Sequence, residues 1–345
     1  MVKLSLVHFD TLSVEATARK APNGDLIVLC TCGGPCEPHP DNRVYLFRSI
    51  DGGLTWSKKE MIHEEDGYAH YQTCTEVIND KIYVFISRHA GYFADWKNYM
   101  LVSDDSGFTW KKEEIPFIPE YGFIRSKTVL SNGKLLFTYH RYPVSPEQEA
   151  EYLTVNGKIF ECEIPYIDNG FVIGDFENGF EKITAYHQPK EEIPTWANGT
   201  ITWNWTENTI VEAEEGHLIM MFRVDTSGWI FRTDSYDFGK TWCKPFQTDI
   251  PNPGNKPQLI KAKDGRILLL NTPNNKPAFY LRKRFPLEVW ISYDNCKTWG
   301  KKIRISDFPG AYSYADGFMD DDGRLKLAFE FNRHDVYFAD VDLED

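Results

Sequence analysis

Carboxylates, phenols and arginines stand at matched distances on either side of six short turns: Asn23-Gly24, Asn79-Asp80, Asn132-Gly133, Glu215-Gly216, Asp264-Gly265 and Asp322-Gly323. Nine residues before the second residue of each turn are Glu15, Tyr71, Ile124 (with Arg125 beside it), Glu207, Lys256 and Tyr314. Seven or eight after it are Thr31, Ser87-Arg88, His140-Arg141, Arg223, Thr272 and Glu330. Such a set could do chemistry. Carboxylates exchange protons, and arginine forks grip an acidic group through two parallel hydrogen bonds. A phenol, with a pKa of about 10, becomes a useful nucleophile only with a base beside it. The competing reading is a solvated rim of salt bridges. Ionisable groups converging at one mouth of a channel make the better site.

The elements that must position these residues are legible from repetition. Each turn pair leads into an apolar run, the signature of a β-hairpin. A longer pattern, S-x-D-x-G-x-T-W, follows four of the hairpins: Ser49–Trp56, Ser103–Trp110, Ser235–Trp242 and Ser292–Trp299, the last with Cys296 in place of glycine. Its Asp and Ser can bond the backbone of their own turn, and its Trp leads into a strand as a large apolar anchor. Six units of roughly 57 residues are the length of a four-stranded propeller blade. The expected fold is therefore all-β: one six-bladed β-propeller domain over residues 1–345 with Asp-box turns. The sixth unit lacks chain for a full blade, so Lys3–Phe9 is expected to pair with Val336–Val341 and close the ring. A long step in the third unit predicts an insertion around 142–205, read as decorated loops with a hairpin signal at Asn156-Gly157.

Composition narrows the partners. With 38 basic and 51 acidic residues the net charge is −13, which disfavours nucleic acid and anionic membrane surfaces. No apolar run is long enough to span a bilayer. The N-terminal residues lack the apolar stretch of a signal peptide, and seven cysteines suit reduced thiols, so a cytoplasmic location is expected. No cofactor or metal is expected, since Cys30, Cys32, Cys36 and His39 do not have a recognised zinc-ligand spacing. Nothing in the sequence sets the oligomeric state. Trp96, Trp196, Trp203, Trp205 and Trp229 are candidates for stacking on a sugar, with core packing as the alternative.

The boxes and the station pattern resemble the sialidase (neuraminidase) superfamily, specifically the BNR/Asp-box neuraminidase-like proteins, across nearly the whole chain. Glu207, Gly216 and Arg223 match the family's spacing of glutamate, hairpin glycine and carboxylate-binding arginine. Arg284, eight before Ser292 and thirty before Tyr314, matches a second arginine and the nucleophilic tyrosine, and Gly323 with Phe329-Glu330 completes that blade. The resemblance implies an exo-acting, retaining glycoside hydrolase releasing a terminal acidic sugar from a glycan. Tyr314 would be the nucleophile, Glu207 its base, and Arg223 and Arg284 the grip on the acidic group, with Arg125 and His70 nearby and Glu330 orienting an arginine. Tyr312 is a rival to Tyr314, because the two point to the same side of a regular strand. The acid would be Asp41, with Glu37 as the alternative. The pattern departs from the family at the first arginine, where Glu15 stands and the nearest candidate is Arg19. Two other classes stay open: a related hydrolase or polysaccharide lyase for a different sugar, using Glu15, His70 and His140, and a non-catalytic glycan-binding propeller.

Overall fold

Each S-x-D-x-G-x-T-W turn folds onto itself. In the first, Asp51 Oδ1 accepts the N–H groups of Leu54 (3.1 Å) and Thr55 (2.9 Å), while Thr55 Oγ1 donates to Oδ2 (2.6 Å). Ser49 Oγ accepts the Gly53 N–H at 2.8 Å. The same bonds recur around Asp105, Asp237 and Asp294. Glycine is required at the first of these turns, since φ is +91° at Gly53 and a Cβ would lie 2.4 Å from the Phe338 ring.

The computed structural model describes residues 1–344 apart from 66, 92–95, 116, 119–121, 142–165, 190–206, 225–226, 276–283 and 307. Its strands form six four-stranded antiparallel sheets, a six-bladed all-β propeller. Blade I runs Ser13–Lys20, Leu26–Cys32, Arg43–Ser49, Glu60–Met61; blade II runs Ala69–Ile78, Lys81–His89, Lys97–Ser103, Lys111–Glu114. Blade III is Gly122–Val129, Leu135–Arg141, Tyr166–Asp175, Gly179–Pro189, and blade IV is Asn208–Glu214, His217–Phe222, Trp229–Ser235, Phe246–Pro251. Blade V is Gln258–Lys261, Ile267–Asn271, Leu287–Ser292, Lys301–Ser306. Blade VI is Tyr312–Met319, Leu325–Phe331, Asp335–Val341, with Val2–Phe9 as its fourth strand. The expected closure is present, in register from Val2↔Val341 to Phe9↔Asp335.

The predicted hairpin pairs all join first and second strands, and the boxes join third and fourth strands in blades I, II, IV and V. The insertion reading needs correction. Part of it, Tyr166–Asp175 and Gly179–Pro189, is the outer strand pair of blade III. That pair turns through a differently spelled motif, in which Asp175 Oδ1 accepts from Glu177 N (2.9 Å) and Asn178 N (2.6 Å). The signal at Asn156-Gly157 lies outside the described residues.

Contacts divide the chain into two compact units. One is Met1–Ile115, Phe285–Val289 and Ile303–Asp345, holding blades I, II and VI; the other is Pro116–Arg284 and Trp290–Lys302, holding blades III and IV and most of blade V. Their cores are apolar layers packed between sheets. Ala16, Val28 and Phe47 meet Ala328, Val336 and Phe338 in the first unit, and Val211, Ile219 and Met221 meet Leu259, Ile267 and Leu269 in the second. First strands are buried on both faces, as in Ser13–Lys20, so a charged residue there must find a partner inside the protein.

Four first strands carry a one-residue bulge close to the stations named above. The register slips between Val14 and Thr17, Gln72 and Cys74, Ile124 and Ser126, and Ser313 and Asp316. A bulge re-aims side chains that strict alternation would send elsewhere. Glu15 (φ +55°) and Tyr314 (φ +51°) occupy the left-handed region in two of them, a conformation that costs a non-glycine residue about 1–2 kcal/mol.

Candidate functional site

In the first unit the station residues gather into an acidic cluster. Glu15 is buried in the bulge of blade I, and its N–H donates to Glu330 Oε1. The Tyr71 hydroxyl lies 3.1 Å from Glu15 Oε1 and 2.9 Å from Glu37 Oε2. Glu37 also pairs with Arg333, whose charge acts on Glu330 and Tyr314. Gln72 Nε2 pins the bulge by donating to the Glu15 and Leu29 carbonyls. Burial pushes the Glu330 carboxyl up to about 8, with Glu37 and Glu15 adding to the shift and Arg333 opposing it. Glu330 is therefore a protonated acid at neutral pH.

In the second unit the cluster is basic. Glu207, 1% exposed, places Oε2 2.8 Å from Arg223 Nη1 and Oε1 3.3 Å from Arg125 Nη2. Arg125 stands at the bulge of blade III and donates from Nε to His140 Nδ1 at 3.2 Å. Burial holds His140 well below its ordinary pKa, assisted by Arg125, Arg223 and Lys256 and opposed by Glu207. Its imidazole is neutral. Arg284 is buried and donates from Nη2 to the Gly254 carbonyl at 2.7 Å.

Several sequence candidates sit differently. Arg19 lies past the blade I bulge, and its buried guanidinium is taken up by Glu76 (2.8 Å), Asp316 and the Ala18 carbonyl. It ties three first strands together, because the extra residue at Glu15 shifts its alternation. Asp41 is exposed and pairs locally with His39 (3.5 Å), whereas Glu37, the alternative, reaches the acidic cluster. Tyr312 is fully buried, its hydroxyl 2.9 Å from Ser306 Oγ and donating to the Phe308 carbonyl. The Ser313–Asp316 bulge breaks the alternation that would have aligned it with Tyr314, which is partly exposed. His70 joins neither cluster and packs against His63 and Tyr99. Cys30 and Cys32 are buried with Sγ atoms 3.3 Å apart. Trp96 is half-buried and bonded to Asn98, Trp229 is half-buried in blade IV, and Trp196, Trp203 and Trp205 lie outside the described residues. Two contributors escaped the sequence reading: Gln72, one residue off the station, and Arg333, in the turn after Glu330. The fixed spacing from the hairpins points to neither.

A β-propeller with Asp-box turns, carrying buried carboxylate–arginine and carboxylate–phenol clusters on its first strands, is the class that fold and site define. Residues 24–327 match the BNR repeat-like domain family, and the chain belongs to it. It is 24% identical over 306 residues to a sialidase of Clostridium perfringens, covering 77% of this chain and 72% of that protein. Among solved structures it is similar to the Hadza microbial sialidase Hz136 (TM-score 0.73, 14% identity), covering 97% of this chain but 66% of that one. A protein of unknown function from Dyadobacter fermentans matches over 99% of both chains (TM-score 0.71, 14% identity).

Proposed function

We propose that this protein is a sialidase-like glycoside hydrolase that releases a terminal acidic sugar from a glycan by a retaining mechanism. The observation that carries the reading is Tyr314: a partly exposed phenol held in left-handed backbone at a bulge, beside a fully buried Tyr312. Strain of that kind is kept where a side chain must be aimed. In this reading Tyr314 attacks the anomeric carbon as its proton passes to a carboxylate base, the role that the sequence resemblance gives to Glu207. Arg223 and Arg284, with Arg125, hold the sugar's acidic group. Glu37 is placed better than Asp41 for the acid's role, since it reaches the acidic cluster beside Tyr71 while Asp41 is exposed and pairs with His39. The relatives named as sialidases support the same reading.

A second reading has its own support. Glu15 stands where an arginine is expected, and Arg19 is committed to Glu76 and Asp316. That favours a hydrolase or lyase for a different sugar. A panel of a fluorogenic sialoside with uronic and neutral glycosides separates the two. Release from the sialoside, reduced roughly 10²–10⁴-fold in kcat by Tyr314→Phe without loss of folding, is the expected result. Release from another sugar alone moves the assignment to the second reading. Release from none, with Tyr314→Phe binding glycans as tightly as the wild type, overturns both.

A further inference from the structure

Outside both clusters, the first unit holds a group of donors that the proposed hydrolase chemistry does not use. His63, Glu65 and His70 place one ligand atom each within 4.8 Å of one another. His70 is 1% exposed, and neither its Nδ1 nor its Nε2 makes a hydrogen bond of normal geometry. His63 Nε2 and the Tyr99 hydroxyl are buried in the same condition, and the three rings stand 5.3 to 6.3 Å apart. Four buried polar atoms in one cluster that no hydrogen bond of normal geometry satisfies are an unusual cost, about 1–3 kcal/mol each by order of magnitude. An ion held between the two imidazoles removes part of that cost.

We propose that His63, Glu65 and His70 bind a divalent ion of the zinc class, through one nitrogen of each imidazole and one Glu65 oxygen. Two imidazoles and a carboxylate suit zinc and its neighbours, whereas calcium and magnesium take oxygen ligands. Ligands on a tetrahedral zinc stand roughly 3.3 Å apart, so small side-chain rotations close the site. Glu65 is already oriented by Arg88 (3.3 Å) and Lys112 (2.9 Å), and a carboxylate has lone pairs beyond those two.

Occupancy would be felt at the acidic cluster. His70 immediately precedes Tyr71, and its N–H donates to the Asn42 carbonyl at 3.0 Å. Asn42 Nδ2 in turn holds the Gly33 and Cys36 carbonyls of the loop that carries Glu37. The ion would fix both the strand that presents Tyr71 and the loop that presents Glu37.

The test is zinc titration of chelator-treated protein by calorimetry, with exposed thiols alkylated beforehand and cobalt absorption as a second readout. The wild type is expected to bind one equivalent more than His63→Gln or His70→Gln, with a four-coordinate cobalt spectrum that both variants lose. Glu65→Gln is expected to weaken zinc binding at least roughly 10-fold. Should His70→Gln fail to fold, the half-buried His63→Gln decides alone. Equal zinc stoichiometry in wild type and His63→Gln, or calcium binding as tight as zinc at this site, overturns the proposal.

Discussion

The two clusters are built from the same residue types and reach opposite electrostatic states. In the basic cluster one carboxylate, Glu207, meets two buried arginines, and each of its oxygens has a cationic partner. In the acidic cluster Glu15 and Glu37 both act on the buried Glu330, with Arg333 as the opposing charge, and the Glu330 carboxyl is pushed toward its protonated form. The difference teaches that count and placement of counter-charges, not residue identity, decide what a buried glutamate is. One cluster surrounds a single carboxylate with buried guanidinium groups. The other tolerates an acidic neighbour because one of its own carboxyls is neutral.

The contrast can be broken from either side. Glu207→Gln leaves Arg125 and Arg223 buried against a neutral amide, and chemical denaturation should show a loss of about 3–5 kcal/mol. A loss below about 1 kcal/mol would mean that the arginines find other partners. Glu330→Gln should act through pH instead. The folded-state pKa of about 8 lies above the ordinary 4.5, so between those values the folded protein binds a proton that the unfolded chain releases. Wild-type stability therefore falls as pH rises from about 4.5 to about 8, by up to about 5 kcal/mol, and is flat on this account outside that window. Denaturation midpoints across the window should flatten in Glu330→Gln; an unchanged slope would remove Glu330 as the source. Arg333→Met sharpens the comparison with a smaller effect, about 1–3 kcal/mol at pH 7, because Arg333 is a quarter exposed. It should also move the Glu330 titration further above 8, as read from carboxyl NMR shifts, since the opposing charge is gone. A downward shift would contradict the arrangement.

Much of the fold was legible because turn chemistry is local. Asp51, Gly53 and Thr55 satisfy each other within five residues, so their spelling survives in sequence and marks every repeat. The outer hairpin of blade III was missed because Asp175-Phe-Glu-Asn178-Gly179 solves the same problem with different residues. Much of each cluster's membership was legible, since Glu15, Tyr71 and Glu330 in one and Glu207 and Arg223 in the other stand at fixed distances from hairpin turns. Their wiring was not legible. The bulges at Glu15 and Tyr314 have no signature of glycine or proline, because neighbouring strands impose the left-handed backbone on a glutamate and a tyrosine.

By itself, then, the sequence determined the period, the number of blades, the closing strand and the stations at which chemistry could occur. Each of those follows from interactions a few residues long or from a repeat that can be counted. Only the tertiary structure decided that Arg19 braces Glu76 and Asp316, that Glu37 rather than Asp41 enters the acidic cluster, and that Tyr312 is core while Tyr314 is presented. Those outcomes depend on one-residue slips between strands and on charges that meet from separate blades. Partners brought together by packing, not by spacing, set the charge of each buried group.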